Sequence, residues 1–178
     1  VSAAAKALGC DINQVLVAST GKIGEQLDIE KILPCMPDLV ARANDTAESF
    51  ATAILTTDLV PKSISATVAL STGVVRVTGI SKGSGMIHPN MGTMLGYILT
   101  DAVVTKEHAA SLLKKTTDVS FNMISVDGDS STNDCCFLMA NGASGFALET
   151  EKDIQKFDAV VEDIMIFLAK SIAADGEG

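Results

Sequence analysis

The sequence predicts an α+β fold, a layered sandwich of mixed sheets and helices. Residues 62–70 and 74–80 are β-rich runs separated by a Ser-Thr-Gly turn, which reads as a hairpin. Residues 151–173 carry Ile154, Phe157, Val161, Ile164, Leu168 and Ile172 at three- and four-residue steps, the apolar stripe of one long helix. Hairpins and helices follow one another in mixed order, so the strict strand–helix alternation of a doubly wound sheet fails.

The remaining elements follow in order. Residues 1–8 are alanine-rich and helical by propensity, and Gly9 ends them. Residues 14–19 read as a buried strand, followed by a turn at Thr20 and Gly21. Residues 28–43 read as a helix that Pro34 and Pro37 kink or break. Asp45 is a good N-cap for a helix over 47–55. Residues 93–104 are apolar and read as a central strand. Thr105 then caps a helix over 106–117, with Glu107 near its positive end. Residues 121–126 and 135–140 read as strands flanking the polar loop "DGDSSTND".

The 178 residues suit one domain, and a chain of this size buries roughly two thirds of its unfolded surface without a disulfide or metal staple. Apolar residues make up 47% and aromatics 4%, so the core is built from Val, Ile, Leu, Ala and Met. A net charge of −9 repels phosphate backbones and anionic lipid, which argues against nucleic acid and membrane surfaces as partners. No apolar run approaches the ~20 residues that span a bilayer, and no charged-then-apolar leader opens the sequence. Cys10, Cys35, Cys135 and Cys136 form no Cys-x-x-Cys pair, and His88 and His108 stand far apart. Buried free thiols in a reducing compartment are expected, and no zinc site.

Several motifs invite chemistry. "VASTGKIG" imitates a phosphate loop, but Leu16 stands where the first glycine belongs and Ile23 where Ser or Thr would follow the lysine. A turn that exposes backbone N–H groups to an oxyanion remains open beside a plain turn. "DGDSSTND" has alternating acids but places Leu138 where a calcium loop needs its twelfth-position glutamate, so it reads as a polar turn. His88 has no partner constellation and reads as a surface histidine. Glu151, Asp153, Asp158, Glu162 and Asp163 mostly avoid the apolar stripe and read as a solvated face.

"KGSGMIHPNMGTML", residues 82–95, sets a glycine-lined turn against Thr93. A threonine at a strand start is ordinarily structural. One chemistry nevertheless suits the setting. The Thr93 hydroxyl attacks the Gly92 carbonyl, the acyl group moves from N to O, and hydrolysis of that ester cuts the chain. The new N-terminal threonine then carries its own base, since an α-amine has a pKa of about 7.7–8. Gly92 tolerates the strained backbone that such an attack requires.

"ASTGKIG", "AILTTD", "KGSGMIHPNMGTML", "DGDSSTND" and the terminal "ADGEG" occur in this order. Together they closely resemble the ornithine acetyltransferases, also called bifunctional glutamate N-acetyltransferases, over residues 8–178. The resemblance implies a self-processing architecture of the N-terminal-nucleophile kind, cut between Gly92 and Thr93 into 1–92 and 93–178. It implies that Thr93 carries an acetyl group from N-acetylornithine to glutamate, and that Thr20 and Gly21 form the oxyanion hole. Thr56, Lys82 and Glu177 would contact substrate. Chemically, Lys82 suits an α-carboxylate and Glu177 an amino group.

The family needs no cofactor, although some members accept acetyl-CoA as a donor. Implied partners are the small-molecule substrates, the complementary chain after cleavage, and further copies in a homo- or hetero-oligomer. The implied location is the cytoplasm, or an organelle matrix in a eukaryote. Family chains extend beyond both ends of this one, so residues 1–178 are expected to be a single domain region of a longer chain. A related self-processing amidase or aminopeptidase, and a non-catalytic fragment, are the competing expectations.

Overall fold

The computed structural model describes residues 1–43, 46–88 and 94–176. Its frame is a four-stranded mixed sheet in the order β1-β2-β3-β4, made of β1 (Lys62–Ala69), β2 (Val74–Lys82), β3 (Leu95–Thr100) and β4 (Cys135–Ala140). β1 and β2 form the expected hairpin, with Leu70 N–H donating to Gly73 O at 2.8 Å across its turn. β3 pairs antiparallel with β2, and β4 pairs parallel with β3. A parallel neighbour requires a crossover. The helix α5 (Lys106–Asp118) supplies it, starting where Thr105 Oγ1 accepts the His108 N–H.

The long helix α6 (Glu151–Ala174) lies on one face of the sheet. Phe157, Val161, Ile164, Leu168 and Ile172 of the predicted stripe are all buried, and Ile154 is half-buried. Close approach is possible because β2 carries Gly79. A Cβ there would stand 2.4 Å from Ile164 Cγ2 and 2.8 Å from Leu168 Cδ1, so any larger residue would push the helix off the sheet. Strand alternation then assigns the faces. Val75, Val77, Gly79 and Ser81 face α6, while Ile80 and Lys82 face the other way. The cross-strand register adds Tyr97 and Phe137 to that second face.

The N-terminal third is irregular. It holds α1 (Ser2–Leu8), a 3-10 turn (Ile12–Gln14), α2 (Ile29–Ile32), a second 3-10 turn (Leu33–Cys35), α3 (Met36–Ala41) and α4 (Ala47–Ala53). The two prolines do break the predicted 28–43 helix into three short pieces. Phe50 of α4 packs edge-on against Tyr97, with ring centroids 4.9 Å apart, on the sheet face opposite α6. Asp45, the predicted cap of α4, lies outside the described residues.

Several expectations fail. Residues 14–19 are not a strand: Asp11 and Gln14 form a capping box that closes a 3-10 turn, and Leu16 and Val17 beyond it are exposed with no described strand beside them. Residues 121–126 begin as a 3-10 turn (Phe121–Met123) that drops Phe121 into the core, so the segment ends the α5 crossover instead of pairing. The predicted strand over 93–104 is shorter, Leu95–Thr100. The thiols are free, but they are not uniformly buried: Cys35 is exposed, and the others are half-covered. Burial pushes the Cys136 thiol up to about 12, which removes it as a nucleophile.

Asp153 is not solvated. It is buried at the start of α6, where it exchanges hydrogen bonds with Thr150 and accepts Ser71 N–H at 2.7 Å from the hairpin turn. The Ser71 hydroxyl, opposed by burial and helped by Ser71 N–H and Thr150, brings its carboxyl from an ordinary 3.8 to about 2. The unfolded chain therefore takes up this proton first as pH falls. The stabilisation is complete above about pH 4 and is lost on the way down to about pH 2. Thermal melts across that interval should show a fall in Tm that is shallower in Asp153→Asn, since one of the low carboxyls is gone.

Candidate active site

The site forms where β1 begins and β2 ends, with the N-terminal third laid over that edge. Lys82 closes β2 and points to the face opposite α6. Its Nζ donates to Thr56 Oγ1 at 2.7 Å and reaches Thr20 Oγ1 at 3.4 Å. Three of the residues singled out by sequence, from three separate segments, thus converge on one ammonium that is only 2% exposed. A lysine buried this deeply must be paired and hydrogen-bonded, and Asp58 Oδ2 adds an opposite charge at 3.9 Å.

Thr20 and Gly21 line a cavity of about 250 Å³ together with Ile23, Met86, Met94 and Asn133. Gly21 adopts φ +156°, a backbone that favours glycine. Among the described residues neither the Thr20 nor the Gly21 N–H has a hydrogen-bond acceptor. Two such donors with a threonine hydroxyl, beside a fixed cation, are suited to stabilising negative charge that develops on an oxygen.

Thr93, Gly92 and Glu177 lie outside the described residues. Both flanks of the segment containing Gly92 and Thr93 are described, and both are tied to the loop "DGDSSTND". At its first residue, Asp127 accepts the N–H groups of Met86 and Ile87, the latter at 3.0 Å. Met86 is held there at φ 57°, a left-handed backbone uncommon for a residue with a side chain. At the loop's last residue, Asp134 Oδ1 accepts Met94 N–H at 2.8 Å, while its Oδ2 is buried with no partner among the described residues. Burial raises the Asp134 carboxyl against the pull of Met94 N–H and Lys82. The Asp127 carboxyl, despite burial, is held low by its backbone donors.

The loop read as a plain polar turn is therefore the clamp on both sides of residues 89–93. Its signal was an aspartate at each end, which sequence spacing alone does not distinguish from turn chemistry. His88 is exposed, and its ring lies 3.4 Å from Ser125 Oγ among the described residues, as a surface histidine would. No group of His, Cys, Asp and Glu among the described residues could hold a metal ion, and no described helix is long and apolar enough to cross a membrane.

The model of the ArgJ family matches residues 1–178. The chain is 44% identical over 182 residues to the Sorghum bicolor protein named "Arginine biosynthesis bifunctional protein ArgJ, chloroplastic", covering 99% of this chain and 39% of that protein. It is 46% identical over 177 residues to the Synechococcus protein named "Arginine biosynthesis bifunctional protein ArgJ", covering 98% of this chain and 43% of the relative. The namesake from Dehalococcoides mccartyi is 46% identical over 181 residues, which cover 100% of this chain and 44% of that protein. The chain thus spans about two fifths of the length of these curated relatives. With a match over every residue and these identities, the chain belongs to the ArgJ family.

Proposed function

We propose that this chain carries the nucleophile and donor-side contacts of an acetyltransferase of arginine biosynthesis, which moves an acetyl group from N-acetylornithine to glutamate. The observation that carries the proposal is the convergence of Lys82, Thr56 and Thr20 at 2.7 and 3.4 Å, beside a cavity shared by Gly21 and Met94. Met94, which lines that cavity, directly follows Thr93 in the sequence. Membership of the ArgJ family supports the same reading.

The reaction runs in two parts. First the Thr93 hydroxyl attacks the Gly92 carbonyl carbon and the Gly92–Thr93 C–N bond breaks, which frees the Thr93 α-amine and leaves an ester; water then hydrolyses that ester to a Gly92 carboxylate and the Thr93 hydroxyl. That amine then accepts the Thr93 Oγ proton as the oxygen attacks the acetyl carbonyl of N-acetylornithine. Thr20 and Gly21 hold the oxyanion. The proton passes to the leaving ornithine nitrogen, and the acetyl remains as an ester on Thr93. The α-amine of glutamate attacks that ester, and N-acetylglutamate leaves. Lys82, steadied by Thr56, holds the substrate α-carboxylate. The amino group is assigned to Glu177 by the motif resemblance.

No cofactor is required, and acetyl-CoA is an alternative donor. The two pieces stay associated after the cut and assemble into an oligomer, in the cytoplasm or, as for the sorghum relative called chloroplastic, in an organelle. The test is steady-state kinetics on the full-length protein with both substrates varied. Parallel double-reciprocal lines, with ornithine released before glutamate is added, are expected. Intersecting lines, or hydrolysis of the donor at the same rate without glutamate, would refute transfer through an acetyl-enzyme.

A further inference from the structure

The loop of residues 127–134 makes one contact that the proposed reaction does not use. Asn133 Nδ2 donates to Ser19 Oγ at 3.4 Å, one position before Thr20 and 114 residues away in the chain. The other side of the carboxamide is held as well, because Thr132 Oγ1 donates to Asn133 Oδ1 at 3.1 Å. The Asn133 main chain is tied down too, its N–H donating to Ser131 Oγ at 3.1 Å. With the carbonyl oxygen engaged by Thr132, the amide nitrogen is the side that meets Ser19.

What gives the contact weight is the segment it reaches. Residues 15–27 form no helix or strand, and Leu16, Val17, Ile23 and Leu27 along them are exposed. Burial therefore does little to fix Thr20 and Gly21, which line the cavity. An oxyanion hole works only where its donors are held within about 0.5 Å of their productive positions, and that takes polar support from neighbouring residues. Asn133 lines the same cavity, and the next residue, Asp134, holds Met94 N–H at 2.8 Å on another part of its wall, just before β3. Adjacent residues of one loop thus grip both the oxyanion segment and the start of a central strand.

We propose that Asn133 is a positioning residue of the oxyanion hole: through Ser19 it ties the segment of Thr20 and Gly21 to the loop that also fixes Met94, so that the oxyanion donors and the start of β3 keep one spacing. This rests on the reading that Thr20 and Gly21 stabilise the oxyanion. The effect falls on the transition state. Donors gain most once charge has developed on the oxygen, so misplacing them lowers kcat more than it raises KM. Asn133 is exposed, so its truncation removes a hydrogen bond and not core packing.

The experiment is a double-mutant cycle in the full-length protein, with N-acetylornithine and glutamate as substrates. Asn133→Ala and Ser19→Ala should each lower kcat about 10-fold, the upper end of what one hydrogen bond contributes. KM for N-acetylornithine should stay within about threefold. Tm should stay within about 2 °C, as expected for side chains outside the core. Asn133→Ala/Ser19→Ala should also lose about 10-fold in kcat, because both substitutions break the same bond. Losses that multiply toward about 100-fold in the double variant would mean that Asn133 does not act through Ser19, and would overturn the inference. A kcat loss in Asn133→Ala matched by a rise in KM, or by a fall in Tm beyond about 2 °C, would overturn it as well. Thr20→Ala is assayed in parallel. If it lowers kcat and Asn133→Ala does not, only the role of Asn133 falls. If Thr20→Ala leaves kcat within about threefold, the oxyanion reading falls, and the inference with it.

Discussion

Thr93→Ala is expected to leave the polypeptide whole and to abolish acetyl transfer. One oxygen serves both events. Without it there is no N-to-O shift at Gly92–Thr93, hence no cut and no free α-amine, and there is no side chain to carry the acetyl ester. Deleting a covalent nucleophile lowers kcat by up to about 10⁶-fold where the residue acts as part of a unit. Here the loss is compounded, because the general base is itself a product of the cut. Thr93→Ser keeps the oxygen and should retain part of both activities. Denaturing mass spectrometry reads the first event: the unmodified protein should give two pieces meeting at Gly92/Thr93, and the alanine variant one. A cut alanine variant would assign scission to something other than this hydroxyl.

Thr20→Ala should come second in size. Thr20 lines the cavity beside Gly21 and touches Lys82 at 3.4 Å, but it lies in an irregular segment and contributes nothing to the buried core. Its loss should therefore spare the fold and act on the transition state. Removing one oxyanion donor costs roughly 10²–10³-fold in kcat. KM should change little, since a ground-state carbonyl oxygen gains less from the donor than the developing oxyanion. Stopped-time assays of ornithine release would check this. A kcat within about threefold of the starting protein would remove the Thr20 hydroxyl from the oxyanion hole, because an oxyanion donor is worth at least roughly a hundredfold.

The sheet and its long helix were legible because their signals are local. Period-two runs around Ser71-Thr72-Gly73 and the 3.6-residue stripe from Phe157 to Ile172 need no distant partner to be read. The run at residues 14–19 misled because an apolar stretch signals burial only where a partner lies beside it, and Leu16 is 65% exposed. Asp153 misled for the opposite reason. It sits off the stripe, yet the hairpin turn folds back and supplies its donors from 82 residues away.

The active-site residues divide the same way. Thr20, Thr56 and Lys82 came from the motif resemblance, and the fold brings them together from segments 26 and 62 residues apart. The contact between Asn133 and Ser19 was invisible, although both lie inside quoted motifs. They are 114 residues apart, and nothing in either motif marks the other as its partner. Asp127 and Asp134 were quoted too, but their role as clamps depends on Met86, Ile87 and Met94 arriving from another strand end.

The measurement that bears most directly on the central claim is the location of the acetyl group in the resting intermediate. Full-length protein is mixed with isotope-labelled N-acetylornithine in the absence of glutamate, quenched in acid and digested, and the labelled peptide is sequenced by mass spectrometry. The mechanism predicts one label per active site, on the side-chain oxygen of an N-terminal Thr93, discharged when glutamate is added before the quench. Label on Lys82 or on any other side chain, or steady transfer with no labelled peptide at all, would contradict it.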